Sequence, residues 1–145
     1  MARTDKKSRK KASGGGDEEL IAAALQAREH AYAPYSHFKV GAALRSASGD
    51  VIAGCNVENA AYGLSICAER NAVGRAVVLG HRRFDAVAVT SDISPPAPPC
   101  GQCLQTLAEF SDDMEVILAN PKGEVIKVRL HQLLPFRFKP EMLAK

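Results

Sequence analysis

The sequence predicts an α/β fold, a three-layer α/β/α sandwich built on a mixed sheet of about five strands. Three observations lead there. Two short apolar runs are separated only by Ser48-Gly49-Asp50, which reads as a hairpin of antiparallel strands. After them, helical stretches alternate with strand-like runs, a pattern that mixes parallel with antiparallel pairing and packs helices on the faces of a sheet. The run centred on Asp85-Ala86-Val87-Ala88-Val89-Thr90 is almost continuously apolar, as expected of a strand covered on both sides.

Taken in order, the first element is a helix over residues 17–31. Its apolar positions Leu20, Ile21, Ala24 and Leu25 repeat at helical spacing, and Asp17, Glu18 and Glu19 suit the positive end of a helix dipole. Ala33-Pro34-Tyr35-Ser36 breaks it. Strands follow over residues 40–46 and 51–56, then a loop through residues 58–63 and a helix from about Cys67 to Leu79, stopped by Gly80. The covered strand spans residues 84–90. The Pro-rich segment 95–99 cannot continue it. A helix over residues 101–110, strands over 114–119 and 125–129 around Pro121-Lys122-Gly123, and a short helical turn at 131–134 complete the chain.

The net charge of +3 divides unevenly. Residues 1–16 hold six basic side chains (Arg3, Lys6, Lys7, Arg9, Lys10, Lys11) against Asp5, a local charge of +5. The remainder has 13 basic and 15 acidic residues, a charge of −2. Residues 1–16 carry no aromatic or aliphatic cluster and end in Gly14-Gly15-Gly16, so they are expected to form a disordered basic tail before a single catalytic domain at 17–145. A body of charge −2 argues against a polyanionic partner such as nucleic acid, whose phosphates need Lys and Arg. No apolar run approaches the roughly 20 residues that cross a bilayer. The basic start lacks an apolar core behind it, so a cytoplasmic location without a secretory signal is expected.

Four cysteines in such a chain argue for metal or catalysis rather than disulfides. Cys100-Gly101-Gln102-Cys103 lets two thiolates grip one tetrahedral ion from a single turn. That turn opens one predicted helix and Cys67 opens another, where the helix dipole favours thiolates. A closed site using Cys55 as fourth ligand has the spacing Cys-x11-Cys-x32-Cys-x2-Cys, with one knuckle where structural sites generally carry two. Three cysteines and an open position therefore fit better, and an open position means catalysis. Glu69 stands two residues from a ligand, in place to act as general base. Arg70 is the cation that offsets the charge of three thiolates. Zinc deaminases of nucleobases combine a ligand-x-Glu motif with Pro-Cys-x-x-Cys, the Glu staying off the metal. Here Cys67-Ala68-Glu69 and Pro99-Cys100-Gly101-Gln102-Cys103 repeat that arrangement with Cys as first ligand.

With those residues in view, the chain resembles the small homotetrameric cytidine deaminases of pyrimidine salvage. The resemblance spans residues 32–143 in five ordered blocks. They are Ala33-Pro34-Tyr35-Ser36-His37-Phe38, Val40-Gly41-Ala42-Ala43, Gly54-Cys55-Asn56-Val57-Glu58-Asn59-Ala60, Ile66-Cys67-Ala68-Glu69-Arg70, and the run from Pro99 to Gln105. It implies one zinc per chain on Cys67, Cys100 and Cys103, and hydrolysis of cytidine and deoxycytidine to uridine and deoxyuridine with release of ammonia. It further implies that Phe38 stacks near the base, Asn56 and Glu58 grip the ribose hydroxyls, and the Ala68 backbone orients the pyrimidine. Tyr62 and Phe138 are implied to approach the site of a neighbouring subunit.

Two positions depart from the pattern: Lys39 stands where Pro is usual, and Leu104 where Arg is usual. The second removes a cation from the vicinity of an anionic metal site. Two other readings stay open: a deaminase of another aminopyrimidine (a nucleoside antibiotic or a cytosine in nucleic acid), and a binding module stabilised by structural zinc.

Overall fold

A computed structural model describes residues 15–143. Its elements run α1 (Gly15–Arg28), β1 (Gly41–Ser46), β2 (Val51–Cys55), α2 (Ala68–Val78), β3 (Phe84–Thr90), α3 (Gly101–Glu109), β4 (Glu115–Ala119), β5 (Val125–Arg129) and α4 (Leu130–Leu133). The expected tail falls almost wholly outside the described residues; Gly15 and Gly16 open α1 instead of ending the tail.

The strands form one sheet in the order β2-β1-β3-β4-β5. Only β3 and β4 are parallel; the other neighbours are antiparallel. This is the expected mixed five-stranded sheet, and the crossover through α3 is what makes one pair parallel.

The period of two along the strands sorts side chains to two faces. Ala43, Ala86, Ala88 and Ile117 point toward Leu20 and Ala24 of α1. Leu44, Val87, Val89, Val116 and Leu118 join Ala72, Val73 and Ala76 of α2 with Leu104 and Leu107 of α3. Three layers result. Alanines on the first face let α1 lie very close. A Cβ on Gly41 would come within 1.9 Å of the Ala24 carbonyl oxygen. On the other face α2 also presses closely on β2, where a Cβ on Gly54 would stand 2.6 Å from the Ala72 nitrogen.

The N-terminal turn of α1 is fastened by charge. Asp17 is 8% exposed and accepts from Arg45 Nη1 at 3.1 Å and from Lys127 Nζ at 2.7 Å, linking α1 to β1 and β5. Burial pushes its carboxyl pKa up, but the Lys127 and Arg45 donors outweigh burial and hold it below the usual value.

Element ends differ from expectation by a few residues, for local reasons. Helix α1 stops at Arg28, and residues 29–31 continue as tighter i→i−3 turns. Strand β1 begins at Gly41 because the Val40 N–H goes to the Asn56 side chain, not to a ladder partner. Among the described residues no helix is long and apolar enough to cross a membrane.

Candidate active site

Two helix N-termini converge on one point. Cys67 is the N-cap of α2 and Cys100 the N-cap of α3, both with extended backbone and neither spending its side chain on capping. Cys103 follows one turn into α3 and is fully buried. The approach to Cys67 is pinned by a two-way backbone bridge, Val57 N–H to Ile66 O at 3.0 Å and Ile66 N–H to Val57 O at 2.9 Å.

The sulfurs of Cys67, Cys100 and Cys103 all lie within 4.8 Å of one another, with Cys67 and Cys100 at 3.9 Å. Tetrahedral Zn–S bonds of about 2.3 Å place two sulfurs about 3.8 Å apart. The donors present therefore fit zinc in chemistry and in spacing. Cys55 is not among them: it lines a separate groove with His30 and Arg75. The closed four-cysteine alternative thus lacks its fourth ligand.

The electrostatics are those of a thiolate site. The Cys67 thiol is drawn down to about 5 by the Cys103 thiol and, against burial, by Arg70. Cys103 is pushed up by the Cys67 sulfur beside it and by burial. Arg70 lies beside both sulfurs and its pKa is raised in return. Its Nε is buried without a hydrogen-bond partner among the described residues. The adjacent sulfurs, once ionised, would offset the charge of the guanidinium.

Glu69 is 4% exposed, and its Oε2 accepts from Cys103 Sγ at 3.5 Å. Burial, aided by the neighbouring Cys67 charge, pushes its carboxyl pKa up. A carboxyl raised in this way is suited to taking up a proton and giving it back.

Above this group opens a cavity of about 200 Å³. Cys67, Ala68, Glu69 and Cys100 form its floor. Phe38, Val40, Asn56, Val89, Ser91, Ala97 and Pro98 complete the lining. Pockets for drug-sized ligands run to about 300–1,000 Å³. This smaller space suits one heterocyclic ring whose substituent projects outward.

The profile of the cytidine and deoxycytidylate deaminase zinc-binding region matches residues 15–119. The chain belongs to this family. Among curated members, a cytidine deaminase of Halalkalibacterium halodurans is 49% identical over 123 residues, which is 84% of this chain and 93% of that one. A cytidine deaminase of Sporosarcina psychrophila is 48% identical over 126 residues, 86% of this chain and 93% of its own. Among solved structures, cytidine deaminase from Burkholderia pseudomallei superposes with a TM-score of 0.80 at 49% identity, covering 83% of this chain and 98% of that one. The family is zinc-binding and hydrolytic, in agreement with the three-sulfur cluster.

The residues implied by family resemblance are distributed over more than one place. Phe38, Asn56 and Ala68 line the cavity over Glu69. The Asn56 side chain is also engaged with backbone, donating to Phe38 O at 2.7 Å and accepting from Val40 N at 2.8 Å. Glu58 and Tyr62 line a neighbouring cavity of about 330 Å³ with Tyr35, Ser36 and Ser65. There Glu58 accepts from the Tyr35 and Ser36 amides at 3.0 Å each and from the Ser36 hydroxyl, which lowers its pKa. Phe138 lies outside both cavities, its backbone held by Gln105 through bonds of 2.9 and 3.3 Å. Leu104 is 7% exposed and belongs to the core cluster under α3, where it serves packing.

Sequence reasoning missed Ser91 among the lining residues. Ser91 is buried at 4% just past the C-terminal end of β3. Its signal was positional: ligands in α/β folds gather beyond the carboxyl ends of parallel strands.

Proposed function

We propose that this chain hydrolyses cytidine and deoxycytidine to the corresponding uridines and ammonia. One observation carries the reading: a buried carboxyl, Glu69, lies beside three convergent cysteine sulfurs on the floor of a cavity sized for a single ring. Cys67, Cys100 and Cys103 would hold the zinc, one per chain. When bound, it supplies Lewis-acid activation of the attacking water.

The protein's own part is proton traffic and orientation. Glu69 takes a proton from the attacking water and delivers it to N3 of the pyrimidine as C4 is attacked. It then takes the second proton, from the oxygen now bonded to C4, and passes it to the exocyclic nitrogen, so that the C4–N bond breaks, ammonia leaves and a C4 carbonyl remains. The Ala68 backbone orients the ring, Phe38 stacks on it, and Asn56 and Glu58 contact the ribose side. Arg70 balances the charge of the sulfurs.

The exposed apolar side chains Tyr62 (74%), Leu64 (66%), Phe136 (97%) and Phe138 (56%) support a homotetramer in which a neighbour's Tyr62 and Phe138 approach each site. Three free thiol ligands support a reducing compartment, the cytoplasm.

The test is ammonia release across cytidine, deoxycytidine, deoxycytidine monophosphate and single-stranded DNA. Turnover of the two nucleosides well above the others is expected. Preference for the nucleotide or for DNA would overturn the substrate assignment, and no turnover by zinc-loaded protein would overturn the enzymatic one.

A further inference from the structure

One carboxylate holds the middle of the turn that leads from α1 to β1. The ends of that turn are tied by other groups. Tyr32 N–H donates to Asn56 O at 3.0 Å and Glu58 N–H to Tyr32 O at 2.8 Å, while Val40 N–H donates to the Asn56 side chain. Between these ends, among the described residues, Glu58 is the only acceptor outside the turn to which residues 33–37 donate. The Tyr35 and Ser36 amides reach its Oε1 at 3.0 Å each, and the Ser36 hydroxyl reaches its Oε2. His37, next in the chain, has a φ of 56°, the only positive φ at a non-glycine among the described residues. Such a backbone persists where its surroundings hold it.

The Ser36 hydroxyl carries this hold into the cavity. It has one proton and two lone pairs. The Ser36 hydroxyl and then its amide keep the Glu58 carboxyl below its usual pKa, and an ionised carboxylate only accepts. The Ser36 proton therefore points at Glu58, and its lone pairs are left for the Phe38 N–H, 3.0 Å away. From the other side Asn56 Nδ2 donates to Phe38 O at 2.7 Å. Both peptide groups that flank the Phe38 side chain are thus fixed, one by Ser36 and one by Asn56. Phe38 lines the cavity that holds Glu69.

We infer that Ser36 is a positioning residue for the proposed deamination: its hydroxyl links the Glu58 carboxylate to the Phe38 backbone and so sets where the Phe38 ring meets the base. Glu58 Oε1 takes two donors and Oε2 one, which leaves Oε2 a lone pair for the ribose side. The two tasks of Glu58, toward the ribose and toward Phe38, are therefore separable. Alanine at position 36 removes the link, and threonine keeps a hydroxyl there. Glu69 and the three sulfurs belong to α2, α3 and their N-caps, which Ser36 does not bond. Loosening the link changes how the base is held more than how protons move. The inference rests on the deaminase reading of the cavity.

The experiment uses full-length zinc-loaded protein with Ser36→Ala, Ser36→Thr, Phe38→Leu and the Ser36→Ala/Phe38→Leu double variant. Ser36 is exposed, so Ser36→Ala leaves the core intact. It should raise KM for cytidine about tenfold, the scale of one charged hydrogen bond, and Ser36→Thr should recover most of the loss. We expect kcat to stay within about twofold and zinc at one per chain. The same factor should appear with 2′,3′-dideoxycytidine, which lacks both ribose hydroxyls. The double variant should be no worse than Phe38→Leu alone, because the ring through which Ser36 acts is already gone. Amide hydrogen exchange supplies a readout apart from activity: Ser36→Ala should speed exchange at Phe38 and leave the amides of β1 unchanged. Unchanged KM, additive effects in the double variant, or unchanged exchange at Phe38 would each overturn the link. A KM rise that vanishes with 2′,3′-dideoxycytidine would overturn it too, since Ser36 would then act through the ribose contact of Glu58. If the wild-type protein turns over no cytosine nucleoside, the functional reading fails, while the exchange result still decides whether Ser36 holds Phe38.

Discussion

Glu69 Oε2 and Cys103 Sγ lie 3.5 Å apart, both buried, on two different helices. The contact places the proposed proton carrier against the proposed metal ligands, and separating the two roles is the most direct test of the site. Glu69→Gln keeps the shape and removes the carboxylate. Zinc should remain at one per chain while kcat falls by about 10⁴-fold, the upper end for a general acid–base group. Turnover within a few-fold of wild type would remove Glu69 from the mechanism.

Metal content should follow the sulfur geometry. Cys100→Ala and Cys103→Ala should each lose zinc and activity, while Cys55→Ala, whose side chain lies in a separate groove, should keep both. Elemental analysis after dialysis reads this out. A chelator should abolish activity, and added zinc should restore it.

Close packing of α1 should appear as intolerance of one methyl group. Gly41→Ala sets a Cβ 1.9 Å from the Ala24 carbonyl oxygen and should cost roughly 3 kcal/mol, seen as a lower urea midpoint. Gly74 within α2 has open space where its Cβ would go. Gly74→Ala should therefore stabilise by up to about 1 kcal/mol.

Asp17 gives a pH signature. Its folded pKa lies below the ordinary value of 3.8, so its contribution is fully present above that pH and lost as pH falls through the folded value. Asp17→Asn should lower the melting temperature by a few degrees at pH 7, with the gap closing below pH 3.8. A gap of constant size from pH 7 to pH 3 would mean that the carboxylate charge is not what fastens α1.

Much of this protein is legible in one dimension. Strand periodicity, the Ser48-Gly49-Asp50 turn and the alternation of helices with strands are local signals, and together they gave the order of elements and the mixed sheet. Cys67, Glu69, Cys100 and Cys103 were legible for a related reason: a metal site at helix starts needs fixed residue types at short spacing, and short spacing survives in sequence. The meeting of Cys67 with Cys100, 33 positions apart, depends on α2 and α3 packing on the same face of the sheet. That was an expectation until the fold brought the two N-termini together. Three further facts left no local mark. Glu58 turns to the Tyr35 and Ser36 amides, in a cavity beside the one that Asn56 lines. Leu104 fills the core at a position read from sequence as a missing cation. Arg28 reaches both Lys39 and Asp92, the second 64 positions away in the chain. Each depends on which surfaces come within a few ångströms once the core closes, and close packing sets that through the whole sheet rather than through any residue's neighbours in sequence.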